Sequence, residues 1–278
     1  MLAAVGISSA IGFDGGDYVL RVAPEDEALA HTHLHSYDAE SHAAPPPPSS
    51  PPARPIVHPN AWVGCVLYVA VLVGIQLAIA NGWWRLDAFG LGELDAGQVQ
   101  QGQWWRAWTA LTLHVDEAHL MANLGAGAWF GYLAAREIGS GTSWFLIVSG
   151  AAFANLFEAH FGPATHRAVG ASTAVFSALG LLVSHSWRTR LHIRQSWALR
   201  WSPLVAGAVL LGWFGSGGEA EGTDIVAHVL GFLFGCLLGA GAALPAVSPM
   251  LARVPQWLAG IATLASLAIA WGYALSRG

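Results

Sequence analysis

The chain from residue 57 onward alternates long apolar runs with short polar segments. A helix that crosses the hydrocarbon core of a bilayer needs about 20 predominantly apolar residues. Seven runs approach or reach that length, and the fifth is the shortest; they are Ala61–Ala80, Ala118–Ala135, Ser143–Phe161, Gly170–Trp187, Trp201–Gly215, Ile225–Leu244 and Trp257–Leu275. The segment Asn81–Glu117 is too polar to cross. The pattern therefore predicts an all-α, polytopic membrane protein.

The first 56 residues follow a different pattern. Residues Asp14–His42 are polar and acidic, and Pro45–Pro55 is a Pro/Ser segment of the kind that favours extended, unpacked chain. We predict an N-terminal tail or small domain at 1–44, a linker at 45–56 and a transmembrane domain at 57–278. The tail contains four histidines, for which we expect a solvated segment rather than a metal site; they are His31, His33, His35 and His42.

Composition agrees with a membrane protein and narrows its partners. Hydrophobic residues make up 54% of the 278 residues and charged residues only 10%, against roughly 25% charged in soluble domains. The net charge of −5 gives no indication of nucleic-acid binding. The two cysteines, Cys65 and Cys236, lie inside apolar runs and do not indicate a disulfide framework.

Arginine placement predicts the orientation, because cytoplasmic loops of membrane proteins carry an excess of positive charge. With the N-terminus in the cytoplasm, eight arginines fall on the inside and four on the outside. The loop WRTRLHIRQSWALR at residues 187–200 contributes most of this difference. We expect a multi-pass protein of a bacterial inner (plasma) membrane with a cytoplasmic N-terminus.

One serine and one histidine stand near the starts of two different spans. On the expected topology Ser172 and His228 lie at a similar depth just below the outer surface. Polar side chains inside membrane spans are costly, so each indicates a function. A serine beside a histidine has the chemistry of a nucleophile and its general base. The pair suggests proteolysis inside the membrane, provided that the two helices meet.

Neighbouring residues can supply an oxyanion site and close helix packing. His119 and Asn123 share one helix face through their i, i+4 spacing. Gly170 and Ala171 precede Ser172 at a helix N-terminus, where backbone N–H groups can stabilise an oxyanion together with Asn or His donors. Glycines follow the histidine of the pair at four-residue spacing, which permits close approach of a second helix; they are Gly231, Gly235 and Gly239.

Three segments in the first half of the transmembrane region resemble motifs of the rhomboid family of intramembrane serine proteases. QWWRAWTALTLH (103–114) resembles the family's Trp-Arg segment, and HLMAN (119–123) resembles its HxxxN motif. GYLAAREIGSG (131–141) resembles the end of the family's second helix, with Glu137 and Gly139 at its Glu and Gly positions.

Two further segments continue the resemblance in the family's order. GAST (170–173) lies at the position of the GxSG motif, and AHVLGFLFG (227–235) resembles the AHxxGxxxG motif. Thr173 stands where the family usually has glycine, and a β-branched side chain can crowd an oxyanion site. We interpret Thr173 as a tolerated variant, because it removes neither the nucleophile nor the base.

The resemblance implies a rhomboid-like six-helix bundle plus a seventh, C-terminal helix, and a catalytic dyad without a third carboxylate. Ser172 would be the nucleophile, and His228 would be the general base and then the acid. The oxyanion hole would be formed by His119, Asn123, the backbone N–H of Ser172, Gly170 and Ala171. Structural positions would be Arg106, His114, Glu137, Gly231 and Gly235.

The resemblance also implies partners and an entry route. Substrates would be transmembrane proteins that reach the site through the lipid bilayer, with the fifth helix as a lateral gate. No metal, organic cofactor or nucleic acid is implied. His160 and His166 flank the loop between the third and fourth spans, and we expect both to be solvated.

Three alternatives belong to other functional classes. An inactive rhomboid-like protein would bind membrane clients, although such relatives typically lack the serine or the histidine that this chain has. A membrane metalloprotease would need an HExxH helix, and HVDEAH (114–119) has the wrong spacing. A transporter with a proton-relaying histidine would predict internal repeats or helices broken at the bilayer midplane, which the sequence does not contain.

Overall fold

The computed structural model describes residues 2–42, 58–82, 87–190, 197–215 and 224–277. The chain divides into two compact units, Met1–Pro55 and Ile56–Gly278. The predicted linker at 45–56 lies outside the described residues, and so do residues 191–196 of the arginine-rich loop.

The first unit contains a hairpin and a helix. Strands β1 (Ser9–Asp14) and β2 (Asp17–Val22) pair antiparallel, and helix α1 (Glu27–His42) follows them. The two turn residues, Gly15 and Gly16, have φ of +58° and +98°, as a tight hairpin turn requires. Three residues form a small apolar cluster; they are Leu2, Ile7 and Ala30. This unit thus contains regular secondary structure and a small apolar cluster.

The second unit is helical. Its long helices are α2 (Trp62–Ala80), α6 (Glu117–Ile138), α7 (Ser140–Phe161), α8 (Ser172–Arg190), α9 (Trp197–Gly215), α10 (Ile225–Ala242) and α12 (Gln256–Arg277). Its short helices are α3 (Ala88–Gly92), α4 (Ala96–Gln100), α5 (Arg106–Thr109) and α11 (Ser248–Arg253). Strands β3 (Leu94–Asp95) and β4 (Arg167–Ala168) pair antiparallel. A long helix covers each of the seven predicted spans, which makes the unit an all-α polytopic bundle.

Four of the helices in the described ranges are long and apolar enough to cross a membrane, namely α2, α7, α10 and α12. The central helix α8 differs because it buries polar side chains such as Ser177 and Ser184 inside the protein. Its apolar side chains pack with those of α6 and α7 in the largest core cluster, which includes Leu179, Ile147 and Phe130. Helix α8 is thus enclosed by protein and needs less apolar surface than a lipid-facing helix.

Aspartate caps fix where two of the site helices begin. The Asp116 carboxylate accepts the His119 N–H at 2.7 Å at the start of α6. The Asp224 carboxylate accepts the Ala227 N–H at 3.0 Å at the start of α10. Each cap satisfies one of the backbone donors that a helix N-terminus leaves free. Both caps place a histidine of the predicted site in the first turn of its helix.

Candidate active site

Helices α8 and α10 lie in parallel and touch along a row of glycines. Gly231 packs against Thr173, and Gly235 packs against the backbone of Ser177. Gly239 packs in the same way one turn later, against Leu181. Each contact lies four residues further along both helices, so the two helices keep the same register over three turns. A side chain on any of these glycines would collide with α8, which explains their four-residue spacing.

His228 is buried in the first turn of α10, with 6% of its surface exposed. Its ring lies 4.5 Å from the ring of Phe176, centroid to centroid, at an interplanar angle of 34°. Phe176 follows Ser172 by one turn of α8, so the two residues share a helix face. The His228 ring therefore packs against the side of α8 on which Ser172 stands.

Ser172 is the first residue of α8. Two hydrogen bonds to the loop that precedes α6 hold the backbone just before it. The Gly170 N–H donates to the carbonyl oxygen of Ala110 at 3.0 Å. The Ala171 N–H donates to Nε2 of His114 at 3.3 Å. Both of these N–H groups are thus occupied, and the first free backbone donors of α8 begin at Ser172.

His114 is almost fully buried, with 1% of its surface exposed. Burial lowers its pKa to about 4, and the neighbouring His119 contributes to the same shift. The ring is therefore neutral at pH 7 and keeps a lone pair on Nε2 for the Ala171 N–H. This contact joins the end of the Asn81–Glu117 loop to the start of α8, as expected of a loop-anchoring residue.

The His119 ring lies directly against Gly170. A Cβ atom at position 170 would come within 2.7 Å of Cε1 and 2.8 Å of Nε2 of that ring, and 3.8 Å from Oγ of Ser172. Gly170 also has a φ of +131°, which L side chains rarely adopt. The His119 ring and the serine hydroxyl thus both lie within 4 Å of the same point beside Gly170, where no side chain separates them.

Asn123 is buried one turn below His119 on α6. Its side-chain amide donates to the His119 backbone carbonyl oxygen at 3.0 Å. The backbone carbonyl oxygen of Asn123 accepts a hydrogen bond from the Tyr68 hydroxyl at 2.8 Å. Within the described part of the chain, the second amide hydrogen of Asn123 meets no acceptor and can donate to a further group.

Thr173, the departure from the family pattern, is buried between α8 and α10. Its Cγ2 atom lies 3.1 Å from the position that a Cβ atom would take on Gly231. The β-branched side chain therefore points into the seam between the helices, where a glycine on the partner helix makes room for it.

Arg106 holds together the loop that precedes α6. It is 6% exposed and donates to the Glu93 carbonyl oxygen at 2.9 Å, the Gly90 carbonyl oxygen at 2.7 Å and the Gln103 side chain at 2.8 Å. Carbonyl oxygens that would otherwise lack partners are satisfied in this way. These contacts are those of a loop-positioning residue.

Glu137 joins the ends of two site helices. It accepts hydrogen bonds from the Ser186 hydroxyl at 2.8 and 2.9 Å, and His185 Nδ1 lies 3.0 Å from its carboxylate. The last turns of α6 and α8 are thereby connected, at the end of the bundle away from Ser172.

Sequence reasoning missed two polar residues that support the site. Asn155 on α7 donates to the Ala107 carbonyl oxygen at 2.9 Å, and Tyr68 on α2 binds the backbone of Asn123. Both residues lie inside predicted spans, where a polar side chain is costly and therefore indicates a role, so the sequence alone could have singled them out.

The expectation that His166 is solvated is wrong. Its Nε2 lies 3.0 Å from a carboxylate oxygen of Asp224 and 3.6 Å from one of Glu158, and its side chain is 23% exposed. His160, by contrast, is exposed. Contacts between residues so far apart in sequence carry no local signal, which is why the pattern did not separate these two histidines.

Comparison with known proteins identifies the family of this chain. Residues 101–244, more than half of the chain, match the Rhomboid domain. The rhomboid protease GluP of Bacillus subtilis (strain 168) is 34% identical over 98 residues. That match covers 35% of this chain and only 18% of the length of the B. subtilis protein. The chain belongs to the rhomboid family of intramembrane proteases.

Proposed function

We propose that this protein is a serine endopeptidase that cuts membrane proteins within or next to their transmembrane segments, with Ser172 and His228 as its catalytic dyad. The observation that carries the proposal is the packing of the His228 ring on Phe176, one turn from Ser172 on the same face of α8. The glycine contacts between α8 and α10 support it, because they hold the two helices in a fixed register.

The proposed reaction proceeds through an acyl-enzyme. His228 accepts the hydroxyl proton of Ser172 as Oγ attacks the scissile carbonyl carbon. The same imidazole then protonates the leaving amine, and the peptide C–N bond breaks. In the second half, His228 takes a proton from water, which attacks the ester, and Ser172 Oγ leaves with that proton.

The oxyanion of each tetrahedral intermediate would be held by three donors. These are the backbone N–H of Ser172, the ring of His119 and the side-chain amide of Asn123. The His119 ring beside Gly170 supports its part in this group. The N–H groups of Gly170 and Ala171 stay outside it, because Ala110 and His114 already accept them. A preorganised donor of this kind typically contributes about 3–4 kcal/mol to catalysis.

The protein would lie in a bacterial inner membrane with its N-terminus in the cytoplasm, as the arginine bias suggests. The site would open toward the outer surface of that membrane. Helix α9 would be the lateral gate for a substrate helix. Among the described residues of α9, Gly207 alone is buried, so this helix has little packing to lose when it moves aside.

The test is cleavage of a single-span substrate by the purified protein in liposomes, with Ser172→Ala and His228→Ala in parallel. Each substitution is expected to lower the rate at least about a thousandfold. Ser184→Ala, a buried serine further along α8, and His160→Ala, an exposed histidine on α7, are the matched controls and should retain the wild-type rate.

A fluorophosphonate probe should label the wild type but not Ser172→Ala. Cleavage that survives Ser172→Ala would show that the mechanism is wrong. A folded wild type that neither cleaves nor reacts with the probe would favour an inactive protein that binds membrane clients.

A further inference from the structure

Three metal-ligating side chains converge where α7 ends and α10 begins. Glu158 stands in the last turn of α7, His166 lies just before β4, and Asp224 caps α10. A nitrogen of the imidazole and one oxygen of each carboxylate all lie within 4.8 Å of one another. Three separate segments of the chain thus bring one nitrogen and two oxygen donors to one point.

The facing atoms of this cluster are buried and contact one another. Glu158 has a side-chain exposure of only 5%. Its Oε2 atom, Nε2 of His166 and Oδ2 of Asp224 are each inaccessible to solvent, and no group outside the cluster forms a hydrogen bond with them within the described part of the chain. Nε2 lies 3.0 Å from Oδ2. One imidazole offers too few donors for two buried carboxylates, and buried acceptors without donors are costly, so these atoms point to a bound group.

The charges of the cluster also favour a cation. The facing oxygens of Glu158 and Asp224 lie within 4.8 Å of each other, so negative charges on both carboxylates would repel. The nearby Arg167 does not neutralise them, because its guanidinium pairs with Glu93 and Asp95 at 3.0 Å each. A positive ion between the two carboxylates would remove their repulsion.

We propose that Glu158, His166 and Asp224 bind one divalent transition-metal ion, with Zn²⁺ as the best match. Zinc takes imidazole and carboxylate ligands at about 2.0–2.2 Å in a tetrahedron, in which ligand atoms are about 3.4 Å apart. The 3.0 and 3.6 Å separations from the imidazole nitrogen to the two carboxylates bracket that length. Water completes the fourth position. Calcium and magnesium are poorer matches, because both prefer all-oxygen sites.

The site would hold the first turn of α10 in place. One oxygen of Asp224 accepts the Ala227 N–H as the helix cap, while the other faces His166. An ion bound to that second oxygen therefore links α7 and the loop before α8 to the turn that carries His228. Metal binding itself does not depend on the proposed protease activity, and its test uses no substrate.

The test measures Zn²⁺ binding to the full chain in detergent after removal of bound metal with EDTA, by competition with a chromophoric chelator. The background for every sample is His31→Ala/His35→Ala, because those two rings lie 5.6 Å apart on α1 and can hold zinc on their own. One Zn²⁺ per chain is expected in this background. Bound Co²⁺ should give the visible absorption of a four-coordinate site.

Substitution of each ligand is expected to weaken Zn²⁺ binding at least about tenfold. The ligand variants are Glu158→Gln, His166→Ala and Asp224→Asn, and asparagine preserves the helix cap of α10. His160→Ala, an exposed histidine two residues from Glu158, is the matched control and should bind as the background does. His166→Cys supplies a thiolate ligand and should restore binding that His166→Ala loses.

Equal Zn²⁺ affinity in the background and in Asp224→Asn would overturn the proposal, and so would an absence of Zn²⁺ binding to the folded background protein. In either case the cluster would be a polar network closed by a shared proton. Circular dichroism and gel filtration of each variant separate lost binding from lost folding.

Discussion

Gly170 meets two requirements that no other residue type meets together. Its φ of +131° is rarely adopted by L side chains, and the His119 ring occupies the space where a Cβ atom would be. Gly170→Ala is therefore expected to cost about 1–3 kcal/mol of stability from backbone strain. It should also displace His119 from Ser172 and lower the cleavage rate at least about tenfold. Thermal unfolding and substrate cleavage measure the two effects separately.

The control for this prediction is Gly125→Ala. Gly125 lies on α6, two residues after Asn123, and a Cβ atom there meets open space. That variant should unfold at or above the wild-type temperature, because alanine favours a helix over glycine by about 1 kcal/mol. Full activity in Gly170→Ala would rule out a role for the close approach of His119.

At this scale the sequence singled out the candidate residues but not their contacts. Ser172 and His228 stood out because polar groups inside apolar runs need a reason. The hydrogen bond from the Ala171 N–H to His114 joins residues 57 positions apart. The hydrogen bond from the Gly170 N–H to Ala110 also connects distant residues, so neither bond could be predicted from the sequence. The set of proposed oxyanion donors could therefore be reduced only once the structure of this loop was known.

The seam between α8 and α10 determines the geometry of the proposed dyad. Gly235→Ala would place a Cβ atom against the Ser177 backbone, and neither helix can yield without separating. We expect a loss of about 1–3 kcal/mol, the usual cost of overpacking, with reduced cleavage because His228 moves with α10. Thermal unfolding in detergent and the cleavage assay report both.

Gly241→Ala on the same helix is the matched control, because a Cβ atom there meets nothing within 4 Å. It should be neutral or stabilising. Equal unfolding temperatures for Gly235→Ala and Gly241→Ala would contradict close packing at the seam.

The positions of whole helices were readable from the apolar runs, whereas their ends were not. Helix α6 begins at Glu117 because Asp116 caps it, and α7 begins at Ser140, three residues before the predicted start. Single residues determine caps and turns, and a hydrophobicity averaged over many residues does not detect them. The β1–β2 hairpin was missed for the same reason, although Gly15 and Gly16 between alternating strands were a usable signal.

On the scale of the transmembrane unit, α12 is part of the support of the site rather than an addition to it. Trp271 is 7% exposed, and its indole N–H donates to the Thr112 hydroxyl at 3.1 Å. It packs in one cluster with Leu113, the residue before His114. The C-terminal helix therefore braces the loop that holds the start of α8, a connection of 159 residues in sequence.

Trp271→Ala tests this bracing. Loss of a buried tryptophan side chain typically costs about 3–5 kcal/mol, and the freed loop should release His114 and lower cleavage as well. Trp271→Phe keeps an aromatic ring but loses the N–H donor, so its unfolding temperature should fall between those of wild type and Trp271→Ala. Trp257→Ala removes a tryptophan from the same helix that is 67% exposed and should change neither measurement much. If Trp271→Ala and Trp257→Ala unfold at the same temperature, the seventh helix does not brace the loop, and the six-helix bundle holds its site without it.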